Sequence, residues 1–241
     1  MRRDPWLYGR GSVDDGYGGY LCATSVRLLQ EAGAPHPRCT MIIETCEESG
    51  SFDLPTYLEA LTERLGNPDM VVVLDSGGPD YEHIWMTEAL RGLVSGTLSV
   101  KVSHEGIHSG NSGGSIPSSF RIQRILLDRV EDSSSGKVRI PEMHVEIPEK
   151  VRENAISLKD IVGDSIWEQF PTVDTLRQAS ETTEDMILAM NWEPTLSIIG
   201  ADGIPSVQDA GNVLRTNTDL KLSFRIPPVS YTHLRAHETS I

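Results

Sequence analysis

Carboxylates are the side chains whose types and spacing could do chemistry in this chain. Asp14 and Asp15 stand together in the glycine-rich stretch Leu7-Tyr8-Gly9-Arg10-Gly11-Ser12-Val13-Asp14-Asp15-Gly16-Tyr17-Gly18, just ahead of a helical pattern. Glu47 and Glu48 follow an apolar run in Thr45-Cys46-Glu47-Glu48-Ser49-Gly50, and Asp75 closes a third such stretch, Val71-Val72-Val73-Leu74-Asp75-Ser76-Gly77-Gly78. Open α/β sheets gather functional groups at the carboxyl ends of their strands, so acids recurring there converge although they are far apart in sequence. Converging carboxylates repel one another and lose hydration, and a bound cation relieves both costs. Their oxygens suit Zn²⁺, Mn²⁺, Mg²⁺ or Ca²⁺ without ranking them. The adjacency of Glu47 and Glu48 suggests a division of labour, one holding metal while its neighbour activates a water.

Other chemistries fit these residues less well. Gly9-Arg10-Gly11 would open a dinucleotide fingerprint only with glycine where Asp14 stands, and carboxylates there repel phosphate. Asp15 also reads as a helix cap. His233 and His237 are four apart, but Glu238 follows the second histidine, whereas a zincin needs His-Glu-x-x-His. His83, close to Asp80 and Glu82, belongs to no metal pattern, and His104 reads as a surface strand residue.

Several elements must position these side chains. Apolar residues near a 3.6 period predict a helix over Tyr20–Ala32, ended by Gly33-Ala34-Pro35, and a second over Asp53–Leu65, ended by Gly66-Asn67-Pro68. Arg38–Thr45 reads as a short strand rich in β-branched residues, and Met70–Leu74 as a buried strand. The texture changes after Arg91. Leu93–Val102 alternates like a strand, Ser109–Ser115 is a glycine-serine loop, and Ile116–Val130 is a helix with Pro117 in its start. Glu131–Lys137 is a polar loop, Ile147–Met190 reads as acidic helices, and Trp192–Gly200 and Asp219–Ile226 are further strands. That order suits an α+β domain with an antiparallel sheet, inserted into an α/β domain.

The ordered set Tyr8-Gly9-Arg10-Gly11-Ser12-x-Asp14-Asp15, Glu47-Glu48 and Asp75 resembles the M20 metallopeptidases, and their dipeptidase branch above all. The resemblance extends through Gly106-Ile107-His108-Ser109-Gly110, Gly211-Asn212-Val213-Leu214 and Ser223-Phe224-Arg225-Ile226-Pro227-Pro228. It implies an α/β fold: part of a zinc-exopeptidase-type catalytic domain over 1–91, and a lid or dimerisation domain over 92–228. Residues 229–241 do not resemble the family's continuation and read as a foreign tail. By the same resemblance Asp14 bridges two divalent metals, zinc first with manganese or cobalt as alternatives. Glu48 and Asp75 each bind one metal, and Glu47 is the general base. His108, Asn212 and Arg225 contact substrate, the histidine typically in a partner's active site, so a homodimer through the lid is expected. A complete relative also carries a His-x-Asp strand upstream and a late histidine downstream. This sequence holds neither metal-ligand histidine, and the stretch is expected to be inactive by itself.

Composition agrees with a globular α/β protein: 38% hydrophobic and 23% charged residues. A net charge of −14 without a basic stripe argues against nucleic acid. No apolar run approaches the roughly 20 residues of a membrane span. Cys22, Cys39 and Cys46 form no Cys-x-x-Cys pair, and Cys22 and Cys46 read as buried free thiols. A cytoplasmic protein is expected, with an exported form as the alternative if a leader lies upstream. The expected activity is hydrolysis of the amide bond of dipeptides or N-acyl amino acids by a metal-activated water. The competing reading is a non-catalytic binding or dimerisation module.

Overall fold

A computed structural model describes residues 2–3, 6–7, 9–12, 14–80 and 82–228. The expected tail over 229–241 lies outside the described residues. The chain divides into two compact units, 1–78 and 79–241.

The first unit opens with a short antiparallel pair, β1 (Arg2–Arg3) and β2 (Trp6–Leu7). Helix α1 (Gly18–Glu31) forms where the 3.6 period predicts it and ends as Gly33 takes a positive φ of 65°. Asp15 does not cap it. The capping position is Tyr17, and no side chain bonds the free N–H groups. A single turn of 3₁₀ helix covers Glu47–Ser49. The expected helix over 53–65 breaks at Leu61 into α2 (Leu54–Ala60) and α3 (Thr62–Leu65).

Neither strand expected in this unit forms. Residues 38–45 and 70–74 carry no ladder, because no described segment lies alongside to bond their backbones. Their apolar side chains are correspondingly bare, Ile43 at 68% and Val72 at 70% exposure. A β-branched run prefers an extended backbone, but a strand is a relation between two segments. Among the described residues of this unit only Gly18 is buried.

The second unit is built on β3 (Gly92–Lys101), β5 (Thr195–Asp202) and β7 (Asn217–Ile226), antiparallel in the order β3-β7-β5. Gly92 pairs with Ile226 and Lys101 with Asn217, so β3 lies along the whole of β7. On the other edge β5 pairs from Thr195–Arg225 to Asp202–Asp219, with a bulge between Ile198 and Gly200. Successive side chains point to opposite faces. Val100, Thr218, Leu220 and Ile226 are buried on one face, and Ser95, Thr97, Lys221 and Arg225 are exposed on the other.

Helix α5 (Ser119–Val130) covers the buried face, with the Ser118 hydroxyl accepting from Arg121 N at 3.4 Å as its cap. Ser119 and Thr218 share a hydroxyl–hydroxyl bond of 2.8 Å, and the fully buried Gln123 amide donates to Leu98 O at 2.9 Å and Thr218 O at 2.6 Å. A helix is thereby fixed in register on two strands. Helices α6 (Glu149–Val162), α7 (Ser165–Glu168) and α8 (Thr183–Trp192) enclose a separate apolar core of Ala155, Ile166, Met186, Ile187 and Leu188. The loop at 109–115 contains a one-turn helix, α4 (Ser109–Ser112), beside a small sheet of β4 (Ile107–His108) and β6 (Val213–Leu214).

The division falls at Gly78, ahead of the change in sequence texture at Arg91, because the intervening residues are tied into the second unit. Arg91 Nη1 donates to Ala189 O and Glu193 O at 3.4 Å each and to Thr195 Oγ1 at 3.2 Å, and Asn154 donates to Glu88 at 3.2 Å. Arg91 thus satisfies carbonyls at the end of α8.

Gln123→Ala strips two buried strand carbonyls of their donor. It should lower the unfolding free energy by about 1–3 kcal/mol, read as a fall in the urea midpoint with unchanged slope.

Candidate active site

Four of the candidate carboxylates of the first unit lie on turns, and Asp75 does not. Asp14 and Asp15 occupy the bend before α1, joined by a cis peptide bond, and Gly16 N donates to Gly11 O at 2.6 Å across it. A side chain on Gly16 would meet Gly11 O at 2.4 Å, so the bend admits only glycine there. Glu47 and Glu48 open the 3₁₀ turn, which Gly50 closes with φ 100° and its N–H donating to Glu47 O at 2.7 Å. Asp75 lies in the unpaired segment that ends the unit.

These acids act on one another. The Glu47 carboxyl is pushed above the usual glutamate range, first by loss of hydration among its neighbours and then by the charges of Asp75, Glu48, Glu44 and Asp14. All four expected metal-site carboxylates, Asp14, Glu47, Glu48 and Asp75, therefore belong to one electrostatic field. Glu44 joins them, a residue the motif reading passed over. Its place two residues before Cys46, on the same side of an extended chain, is the available signal. It is half-buried, and the Cys46 thiol donates to it at 3.6 Å, while desolvation and that bond push the thiol up. Cys22 and Cys46 are half-buried and not buried as expected, since this unit has little interior, and Cys39 is exposed. All three are free.

An oxygen-only donor set suits a divalent cation in kind. Among the described residues, however, no three His, Cys, Asp or Glu side chains approach closely enough to enclose one. The acids sense each other's charge without forming a closed coordination shell.

In the second unit two expected substrate residues come together. His108 pairs with Val213 across β4 and β6, and Ser109 N donates to Asn212 O at 2.9 Å. Gly110 N donates to His108 Nδ1 at 3.1 Å, which leaves the neutral imidazole its proton on Nε2. A methyl group on Gly110 would stand 3.0 Å from the His108 ring. Arg225 does not join them. It lies near the opposite end of β7, about 27 Å from Asn217 at the strand rise of ~3.4 Å per residue. Arg225 forms no ion pair among the described residues, and the acid Asp219 on the same strand accepts from the Asn217 amide. Its charge reaches Arg91, whose guanidinium is lowered by burial and then by Arg225. His104 is exposed, as expected, but stands in a bend beyond the end of β3 and not on a strand.

His83 is held by a turn. Its Nδ1 lies 2.8 Å from Asp80 Oδ2, and Asp80 Oδ1 accepts from the backbones of Glu82 and His83 at 2.9 Å each and from the Trp85 indole at 3.3 Å. Desolvation raises the Asp80 carboxyl, but these bonds outweigh it and hold it at about 2.

The family model for peptidase family M20/M25/M40 matches residues 2–231. The chain belongs to that family. It is 26% identical over 231 residues to the Beta-Ala-His dipeptidase of Mus musculus, covering 93% of this chain and 46% of that protein. Its fold is similar to that of the di-peptidase Dug1p from Saccharomyces cerevisiae, with a TM-score of 0.65 at 23% identity, covering 93% of this chain and 47% of the other. It is also similar to the M20 family metallo-carboxypeptidase Sso-CP2 from Sulfolobus solfataricus, with a TM-score of 0.53 at 20% identity over 75% of this chain and 46% of that one. The chain spans about half the length of the relatives it matches. Its mixed α/β architecture is that of M20 dipeptidase domains. Among the described residues no helix is long and apolar enough to cross a membrane.

Two outcomes test this geometry. Asp75→Asn removes the foremost negative neighbour of Glu47, so the Glu47 titration midpoint, followed by carboxyl carbon NMR, should fall toward that of an ordinary glutamate. A raised carboxyl favours the fold most when protonated, so the wild-type first unit should lose stability as pH rises through that midpoint, and less so in the variant. Gly110→Ala should displace the His108 ring, seen as a changed imidazole shift.

Proposed function

We propose that this chain is part of a di-metal M20 peptidase that hydrolyses the amide bond of dipeptides or N-acyl amino acids. The observation that carries the reading is the match of the M20 family model over residues 2–231, and the raised Glu47 carboxyl, set by lost hydration and then by the charges of Asp75, Glu48, Glu44 and Asp14, accords with it. Asp14, Glu48 and Asp75 are the residues that would hold the metals, zinc first, with two histidines expected from outside this stretch. A divalent ion, when bound, polarises a carbonyl and acidifies water. Glu47 takes the proton of the attacking water and returns it to the leaving amine, a transfer suited to a carboxylate of raised basicity. His108 donates from Nε2 to the developing oxyanion. Asn212 and Arg225 bind substrate from opposite ends of the second unit. That separation supports a homodimer in which His108 and Asn212 serve the partner's site while Arg225 serves its own. Three free thiols accord with a cytoplasmic location.

The alternative, a binding or dimerisation module, draws on the absence of a closed metal shell among the described residues. Metal analysis and dipeptide hydrolysis on the full-length gene product separate the two. Two metals per chain with hydrolysis are expected, and Glu47→Ala should lower kcat by about 10²–10⁴-fold while metal is retained. Asp14→Asn should lose metal. A metal-free, inactive wild type would leave the binding module.

A further inference from the structure

Beside His108 and Asn212 lies a cleft of about 480 Å³, within the usual range for small-molecule sites. Ile204, Pro205, Val213 and Leu214 give it apolar walls, and Arg215 is its only charged lining residue. Two glycines let the backbones close around it. A side chain on Gly106 would meet Val213 Cγ1 at 2.9 Å, and one on Gly203, whose φ is 80°, would meet Asn217 O at 2.5 Å. The wall that carries Arg215 is fixed on both sides. Leu214 pairs with Ile107, and Thr216 O accepts from Val102 N at 2.8 Å and Ser103 N at 3.3 Å.

Among the described residues two arginines are half-buried, Arg91 and Arg215. Arg91 is satisfied by three acceptors. Arg215 has no side-chain hydrogen bond or ion pair among the described residues, in a chain with an excess of carboxylates. A guanidinium partly withdrawn from water at the edge of an apolar cleft is matched by a carboxylate on a short hydrocarbon chain.

We infer that this cleft is a specificity subsite and that Arg215 selects substrates carrying an acidic side chain, glutamate-like in length. The methylenes lie against Val213, Leu214 and Ile204, and the side-chain carboxylate meets the guanidinium. The inference rests on the peptidase reading for its substrate class and on the cleft for its selectivity.

The test compares isosteric pairs on the full-length gene product: Ala-Glu against Ala-Gln, and Glu-Ala against Gln-Ala. In one pair the acidic member should be favoured in kcat/KM by about tenfold or more, as close charge pairs allow. Arg215→Gln should bring that ratio near one, and Arg215→Glu should invert it toward Lys-bearing dipeptides. Equal rates in both wild-type pairs, or a preference that survives Arg215→Gln, would overturn the subsite while leaving the peptidase intact. A preference that moves with amidation of the α-carboxylate instead would also overturn it, since the cleft would then read the main-chain end. If no dipeptide is cleaved, the peptidase reading fails by itself, and binding decides the subsite. N-acetylglutamate, but not N-acetylglutamine, should shift the amide signals of Gly106, Val213 and Thr216, and Arg215→Gln should abolish the shift. No shift would sink the subsite too.

Discussion

Strand β7 is hydrogen-bonded along both edges, and the second unit is arranged around that constraint. β3 lies along its full length and β5 along most of it, so a side chain on β7 cannot change face without breaking two ladders. Gln123 and Ser119 reach from α5 to Thr218 and convert the helix from a loose cover into a keyed one. The same rigidity extends past Asn217, where Val102 and Ser103 bind Thr216 O and hold the approach to β6. His108, Asn212 and Arg215 all stand on backbone fixed in this way. Arg225 owes its place on the wet face to register alone.

The first unit shows the converse. Met41, Ile42 and Ile43, and Met70 to Val73, have the composition of buried strands, yet each is at least 48% exposed. Their apolar surface and unbonded backbone amides are what a sheet neighbour satisfies, and none is present among the described residues. Glu47 and Glu48, which follow the first run, are positioned by a turn, while Asp75 stays in an unpaired segment. Gly11, Gly16 and Gly50 shape the bends, which is why a common field forms around Glu47 although the sheet expected to deliver the acids does not.

This contrast explains what could be read in the chain. Leu93–Val102, Trp192–Gly200 and Asp219–Ile226 were legible because a strand-like pattern met a real partner, and the structure moves their limits by at most three residues. Arg38–Thr45 carries as strong a local signal, but pairing is non-local and cannot be read from one segment. The order of Asp14, Glu47, Glu48 and Asp75 was legible for a similar reason, since residue types and turn glycines are local. Whether their oxygens close around an ion depends on distances that no spacing specifies. Arg215 belongs to no motif. It becomes conspicuous only when burial leaves it without an acceptor.

The length of β7 also limits what this unit can hold. Two residues of extended peptide span roughly 7 Å, while Asn217 and Arg225 stand about 27 Å apart along an antiparallel strand. Bending cannot bring the ends together, because both neighbouring ladders would have to bend with the strand. A dipeptide-sized molecule at the Asn217 end of the strand therefore does not reach Arg225 of the same chain. The position of Arg215 follows the same logic. It stands two residues before Asn217, at the end of β7 remote from Arg225.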